Sequence, residues 1–206
     1  MRSSGTQSCV SNTRRKTGVH EAKRRETHRR ILAAGIRLFL ERGYDATRLE
    51  DIAEVAAISR RTFFAYFRGK DEILRTWERD GWEEILGDVR GASPDESPLP
   101  MIRSAVSKRL SRHNTEELKA IAQVISSSEA LRAAKHFSYA EREKLLFEVL
   151  CEVWRQPERR MALRLVAMSA VGALRVAVEM WELPSNRRPL HRLFVETLDA
   201  LASAIS

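Results

Sequence analysis

Cysteine is close to absent: the 206 residues hold two, Cys9 and Cys151. Two thiols so far apart make neither a metal-spaced set nor a disulfide framework, so no metal ion and no cofactor is expected. Cys151, inside a helical pattern, reads as a small core hydrophobe. The five histidines are scattered, and the chain has no G-x-S-x-G elbow, no phosphate-cradling glycine loop and no H-E-x-x-H pair, so it is not expected to be an enzyme. No window reaches the ~18 apolar residues of a membrane span, and the N-terminus lacks the apolar core of a signal peptide, which together predict a cytoplasmic protein. Beyond Lys70 there is neither strand-type alternation nor an internal repeat. What is present is a chain that is 43% apolar and long enough to bury a sizeable core in one large or two small domains.

Charge is unevenly placed. Residues 1–75 hold 17 Lys and Arg against 9 Asp and Glu, a balance of +8, and residues 76–206 hold 19 against 19, so the first third carries the entire net charge of +8. A polyanion is the partner that such a patch attracts, through release of its condensed counterions.

The same third contains a helix, a tight turn and a second helix. Thr47 with Glu50 reads as a capping box, and Leu49, Ile52, Ala53 and Ala56 at offsets 0, 3, 4 and 7 give a two-turn helix one apolar face. Ser59 suits the N-cap of the next helix, whose Phe63 and Phe67 form an apolar pair one turn apart. At about 100° per residue, Arg61, Thr62 and Ala65 point away from that pair, with Phe64 and Tyr66 on the flanks. Ahead of these helices, Leu32, Ile36, Phe39 and Leu40 share one helical face and Gly43 stops the helix.

Thr47, Ile52, Ala53, Ala56, Ser59, Thr62, Tyr66, Phe67, Lys70 and Leu74 together resemble the DNA-binding domain of the TetR family of bacterial regulators, over about Glu21 to Leu74. The resemblance implies that Thr47, Thr62, Tyr66 and Lys70 hold DNA phosphates, with Ser59 opening the recognition helix and positions 60, 61 and 64 reaching towards bases. Three positions depart from the family pattern. Ala57 stands where a turn glycine is usual, Arg61 where glycine is common, and Phe64 where tyrosine is common. Arg60 and Arg61 suit bidentate contact with guanine, whereas Phe64 can only pack on a sugar or a thymine methyl. A second reading stays open, in which one or both arginines grip phosphates and read no sequence.

The expected architecture is all-α: a three-helix helix-turn-helix domain at residues 21–69 and a larger helical ligand-binding and dimerisation domain at 70–206. Residues 1–20, rich in Ser, Thr, Arg and Lys and without periodicity, are expected to be a disordered basic tail. Arg14, Arg15 and Lys16 there either solvate the chain or enter a narrow minor groove. A fourth helix opens with Asp71 and Glu72 and runs to Gly91. Asn114 with Glu117, Ser138 with Glu141, and Pro157 are further start signals, which place helices near 99–113, 115–127, 129–155, 158–182 and 189–205.

In the last predicted helix, Leu190, Leu193, Phe194, Thr197, Leu198, Leu201 and Ile205 form a stripe wide enough for an internal core and a partner. Ser169, Ala170, Gly172 and Ala173 permit close helix approach in the one before. The resemblance implies a homodimer through these two helices, reading a palindromic operator in double-stranded DNA, and a cavity for a small hydrophobic or aromatic effector. Trp82, Met101, Phe147, Cys151 and Met168 lie on the helices that would enclose it, and each is equally at home as plain core. Arg175 shares a face with Met161, Leu165, Met168 and Gly172 and needs a partner, either Glu179 one turn later or an acidic ligand. His113 either caps a helix end or meets the ligand. The function expected is sequence-specific regulation of transcription, by repression as the resemblance implies. The rival is a sequence-tolerant architectural protein whose C-terminal domain only dimerises.

Overall fold

The fold comes from a computed structural model that describes residues 8–204 apart from 114, 128 and 184, with side chains described from His20 onward except at 117, 127, 129, 130, 134 and 136. Among the described residues there are nine α-helices and no strand: α1 Ser8–Arg42, α2 Leu49–Val55, α3 Arg60–Phe64, α4 Lys70–Arg90, α5 Pro98–Ser111, α6 Thr115–Ser127, α7 Glu129–Val153, α8 Arg160–Trp181 and α9 Leu190–Ala204. The chain divides into two units, Met1–Thr76 and Trp77–Ser206. The expected boundary at Lys70 therefore lies two turns too early. The reason is packing: Ile73 and Leu74 are fully buried, and Ile73 approaches α1 so closely that a Cβ on Gly35 would come within 2.7 Å of its Cδ1.

α1 is longer than the sequence suggests. Its backbone is helical from Ser8, so residues 8–20, expected to be disordered, continue the helix, and residues 1–7 lie outside the described residues. Extending a helix that tertiary packing has already nucleated fixes one residue per added hydrogen bond, and the segment has no proline to stop it. The buried face of α1 is set by Ile31, Ala34, Ile36, Leu38 and Phe39, while Leu32 and Leu40, placed on that face by periodicity, are only half-buried. Gly43 ends the helix at φ 85°, and its N–H bonds the Phe39 carbonyl at 3.0 Å.

Ala57 occupies the left-handed region at φ 51°, in the turn between α2 and α3. Arg30 braces that turn from α1, donating from Nη2 to the Ala56 carbonyl at 2.5 Å and the Ala57 carbonyl at 3.3 Å. A Cβ in this conformation costs roughly 1–2 kcal/mol, which the surrounding packing must offset.

In the C-terminal unit, α8 packs against α7, α9 and α5, and α9 also lies against α5. Leu163, Ala167, Ala170, Val171, Leu174, Ala177 and Trp181 form the inner face of α8 and meet Leu190, Leu193, Phe194 and Leu198 of α9 in one core. Most of the α9 stripe is thus internal: Thr197 and Leu201 are half-buried, and Ile205 lies outside the described residues. By length and composition the segment Pro157–Trp181 could cross a membrane, contrary to the sequence expectation, yet its inner face is the core of a helical domain. Ser138 caps nothing. It sits inside α7, where its hydroxyl donates to the Lys135 carbonyl at 2.7 Å, and Asn114 with Glu117 lies outside the described side chains.

Ala57→Gly should relieve the turn. The conformational relief of roughly 1–2 kcal/mol exceeds the glycine entropy cost of about 0.5–1 kcal/mol, so the melting temperature should rise by a few degrees. A melting temperature that stays level or falls would show that the turn stores no strain.

Candidate nucleic-acid interface and internal cavity

The α2 start differs from the expected capping box. The N-cap is Arg48, whose backbone N–H donates to Asp51 Oδ2 at 3.0 Å, and Thr47 lies one residue earlier with its side chain 1% exposed. The Thr47 hydroxyl donates inward, to the Gly43 carbonyl at 2.7 Å with the Leu38 carbonyl at 3.2 Å. The side chain implied as a phosphate ligand is therefore committed to the end of α1, because a buried hydroxyl must find a local acceptor. Lys70 holds the same connection from the other side. Its Nζ donates to the Tyr44 carbonyl at 2.6 Å and the Thr47 carbonyl at 3.2 Å, and lies 4.2 Å from the centre of the Tyr44 ring. An ammonium carries three donors, so one remains for an anion.

Ser59 caps α3 as expected: its Oγ accepts the Thr62 N–H at 3.1 Å and lies 2.8 Å from the Thr62 hydroxyl. Phe63 and Phe67 are fully buried, which turns Arg60, Arg61, Phe64 and Ala65 outward and leaves Thr62 and Tyr66 half-exposed. His28 of α1 stacks on Phe67 with ring centroids 4.8 Å apart, fixing the far end of α3. The two adjacent arginines differ. Arg60 pairs with Glu50 at 3.0 Å and lies 5.7 Å from the Phe64 ring, whereas Arg61 has no partner among the described residues. With both groups of the Arg60–Glu50 pair exposed, the pair contributes under about 1 kcal/mol and exchanges readily for a stronger anion.

The C-terminal unit contains a cavity of about 140 Å3, mostly apolar, between α4, α6, the first half of α7 and the last turns of α8. Of the seven residues expected to meet a ligand, Trp82 lines it. Met101, Phe147 and Cys151 pack partly buried against the core elsewhere, with Phe147 under Arg160 and Arg164 at 5.0 and 5.4 Å and the Cys151 Sγ accepting from Arg160 at 3.9 Å. Met168 is exposed on the outer face of α8, and Arg175 pairs there with Glu179 at 2.9 Å, the simpler of its two expected partners. His113 meets Trp77 edge-on at 5.6 Å, behind the cavity wall. None of these six residues lines the cavity.

The sequence reading missed Tyr139, Arg142, Trp181 and the α6 face of Leu118, Ile121, Ala122 and Ile125. That face repeats at offsets 0, 3, 4 and 7, the signal that was there to be used. The ionic groups around the cavity are paired: Glu78 with Arg142 at 3.4 Å, Lys135 with Glu182 at 2.5 Å, and Arg109 with Glu84 at 3.3 Å. Arg109 reaches its place because residue 81 is glycine, where a Cβ would lie 2.7 Å from its Nη2. Burial pushes the Tyr139 phenol up to about 12, with Arg142 opposing and Glu182, Glu78 and Glu179 adding to the rise.

Two family models match this chain: the one described as bacterial regulatory proteins of the tetR family, at residues 31–76, and the MftR C-terminal domain, at residues 96–206. The chain belongs to the TetR family. Among curated proteins it is similar to the HTH-type transcriptional regulator TcmR of Streptomyces glaucescens, with 31% identity over 104 residues, 50% of this chain and 46% of that one. It is also similar to RutR of Escherichia coli K12, with 29% identity covering 51% of this chain and 48% of that one. It thus spans about half the length of these curated relatives. Among solved structures, the Thermus thermophilus TetR-family repressor FadR in complex with lauroyl-CoA aligns with TM-score 0.59 and 21% identity over 87% of this chain and 95% of that one. The SmeT–triclosan complex, of the Stenotrophomonas maltophilia efflux-pump repressor, aligns with TM-score 0.60 and 18% identity over 87% and 91%. These two likenesses concern the fold. The match to the tetR-family regulatory-protein model at residues 31–76 takes in the whole of α2 and α3.

Two outcomes follow from this geometry. Thr47→Val keeps the shape but strips the donor from a buried carbonyl, that of Leu38, and a part-buried one, that of Gly43, so it should cost about 1–3 kcal/mol in thermal or denaturant unfolding. DNA affinity of the folded protein should not change; a selective loss of affinity would mean that Thr47 touches phosphate after all. For Tyr139, the folded phenol is held near 12 against an ordinary 10.0, so its contribution to stability is full below pH 10 and is lost as pH rises through 12. The alkaline fall in melting temperature across that window should flatten in Tyr139→Phe. An unchanged slope would sink this assignment.

Proposed function

We propose that this regulator is a cytoplasmic, homodimeric repressor that leaves a palindromic operator when a small, mainly hydrophobic or aromatic effector fills the cavity of the C-terminal unit. The observation that carries this reading is the course of α4. The helix is continuous from Lys70 to Arg90, with Lys70 at one end clamping the carbonyls of Tyr44 and Thr47 and with Trp77, Glu78, Gly81, Trp82 and Ile85 lining the cavity further along. A ligand that alters the packing around those five residues acts on a helix whose first turns belong to the N-terminal unit. A state preferred by the ligand and disfavoured by DNA then makes binding of the two reciprocal, and coupling of about 1–3 kcal/mol changes operator affinity roughly 5- to 150-fold. The relatives bound to lauroyl-CoA and to triclosan support an effector role for the cavity.

Dimerisation is assigned to α8 and α9. Met161, Leu165, Met168, Val176 and Met180 are all exposed and recur along the outer face of α8, where Gly172 permits close approach. Such a row of apolar side chains on a monomer marks an interface. Two copies also fit the reading of a palindrome, whose half-sites lie about 34–36 Å apart. In the reading head, Arg61 is the base reader, since it alone of the arginine pair is unheld, and Lys70, Thr62 and Tyr66 position the phosphate backbone.

The test is a salt titration of binding to the DNA upstream of this protein's own reading frame, against a scrambled duplex of equal length. Tight binding of two protomers to the upstream DNA, at least ~10³-fold over the scrambled duplex, is expected. Arg61→Ala should narrow that ratio, and Lys70→Ala should weaken both duplexes alike. Equal affinity of the unaltered protein for both duplexes, with a steep salt slope, would favour an architectural protein over a self-regulating repressor.

A further inference from the structure

The cavity is ringed by polar groups that nearly all have partners, which makes the exceptions informative. Trp82 and Trp181 both line it and are 5% and 2% exposed, yet neither indole N–H has an acceptor among the described residues. Trp154, in the same core, shows the usual arrangement: its Nε1 donates to the Glu96 carbonyl at 2.9 Å. An indole offers a donor and no acceptor, so an orphaned one can be satisfied only by an incoming oxygen or nitrogen lone pair. Leaving two such donors dry is costly, and proteins seldom do so without a function for the site.

The charges argue in the other direction. Glu78 pairs with Arg142 and Lys135 with Glu182, while Arg109 shares Glu84 with Arg112, so an ionic ligand would have to displace an existing ionic partner in a partly desolvated setting to be neutralised itself. The wall offers apolar carbon, aromatic faces and the two uncharged indole donors without an acceptor; the buried Nε of Arg109, a third donor there, lies 3.3 Å from Glu84 in an ion pair. An engineered apolar cavity of about 150 Å3 holds benzene, and this cavity of about 140 Å3 is therefore sized for one ring, with substituents extending through its open side.

We infer that the effector is an uncharged molecule with a flat apolar body and a carbonyl- or ether-type acceptor, recognised by the indole N–H groups of Trp82 and Trp181. The inference rests on the effector reading above. An ordered water can serve the two donors while the site is empty, and an acceptor on the ligand replaces it. Size and burial fix where the ring goes, and the donors decide which ring is accepted.

The experiment uses the full chain, labelled with nitrogen-15, and three probes of similar size: acetophenone, ethylbenzene and benzoate. Each of the four tryptophans gives its own indole N–H signal, and Trp154 is the internal control. Acetophenone should bind about 5- to 10-fold more tightly than ethylbenzene and benzoate, the gain of one net hydrogen bond. It should also move the Trp82 or Trp181 indole proton downfield where ethylbenzene does not, which separates hydrogen bonding from the ring current of the probe. Trp82→Phe and Trp181→Phe keep a ring in place and should bring acetophenone and ethylbenzene to equal affinity. Equal binding of those two probes to the unaltered protein, with unmoved indole signals, overturns the donor assignment while leaving an apolar effector cavity intact. Tighter binding of benzoate overturns the neutrality of the ligand. Failure of all three to bind removes the effector reading itself, and this inference with it.

Discussion

The continuity of α4 is the constraint on which the rest depends. Its first two turns are buried in the N-terminal unit through Ile73 and Leu74, and its later turns are buried in the C-terminal unit through Trp82, Ile85, Leu86 and Val89. Lys70, at its first residue, ties this element to the turn that follows α1, and the Thr47 hydroxyl ties that turn back to the end of α1. The small DNA-binding unit is thereby held by a few directed bonds as well as by apolar packing, which suits a unit too small to bury much surface of its own.

The reading surface and the cavity handle charge differently. On α3 the cations are exposed: Arg60 is held only by the exposed Glu50, a pair that contributes under about 1 kcal/mol, and Arg61 has no partner among the described residues. Around the cavity the ions are partly buried and paired, Glu78 with Arg142, Lys135 with Glu182, and Arg109 with a Glu84 that it shares with Arg112, and their desolvation would be unfavourable without those partners. Tyr139 follows the same rule, since burial raises its phenol to about 12 and so extends its neutral form to higher pH.

α8 illustrates how one helix serves two surfaces. Its inner residues include four alanines, Ala167, Ala170, Ala173 and Ala177, whose small side chains let α7 and α9 approach closely. Its outer residues are large and apolar and leave an uncovered row on the monomer. Both faces apolar is also what makes the segment resemble a membrane span by composition, and it explains why a composition test and a packing test read the same residues differently.

The sequence by itself determined whatever is decided within a few residues of chain: the order and limits of the helices beyond Lys70, the Ser59 cap, the Gly43 stop, the buried Phe63 and Phe67 pair, and the concentration of positive charge in the first third. These are consequences of periodicity, capping and glycine conformation, each of which acts over one or two turns. It failed where the answer depends on which faces meet. Thr47 read as an exposed cap and is buried, because the end of α1 supplies acceptors that no local pattern reveals. Met101, Phe147, Cys151, Met168 and Arg175, expected near a ligand, stand outside the cavity that Trp181, Tyr139 and α6 line. Helical periodicity states which side chains share a face, but the crossing of one helix over another decides what that face looks onto. Only the tertiary structure could therefore distinguish Arg61 from its neighbour Arg60, match the cavity's ions into pairs, and leave two indole donors without acceptors.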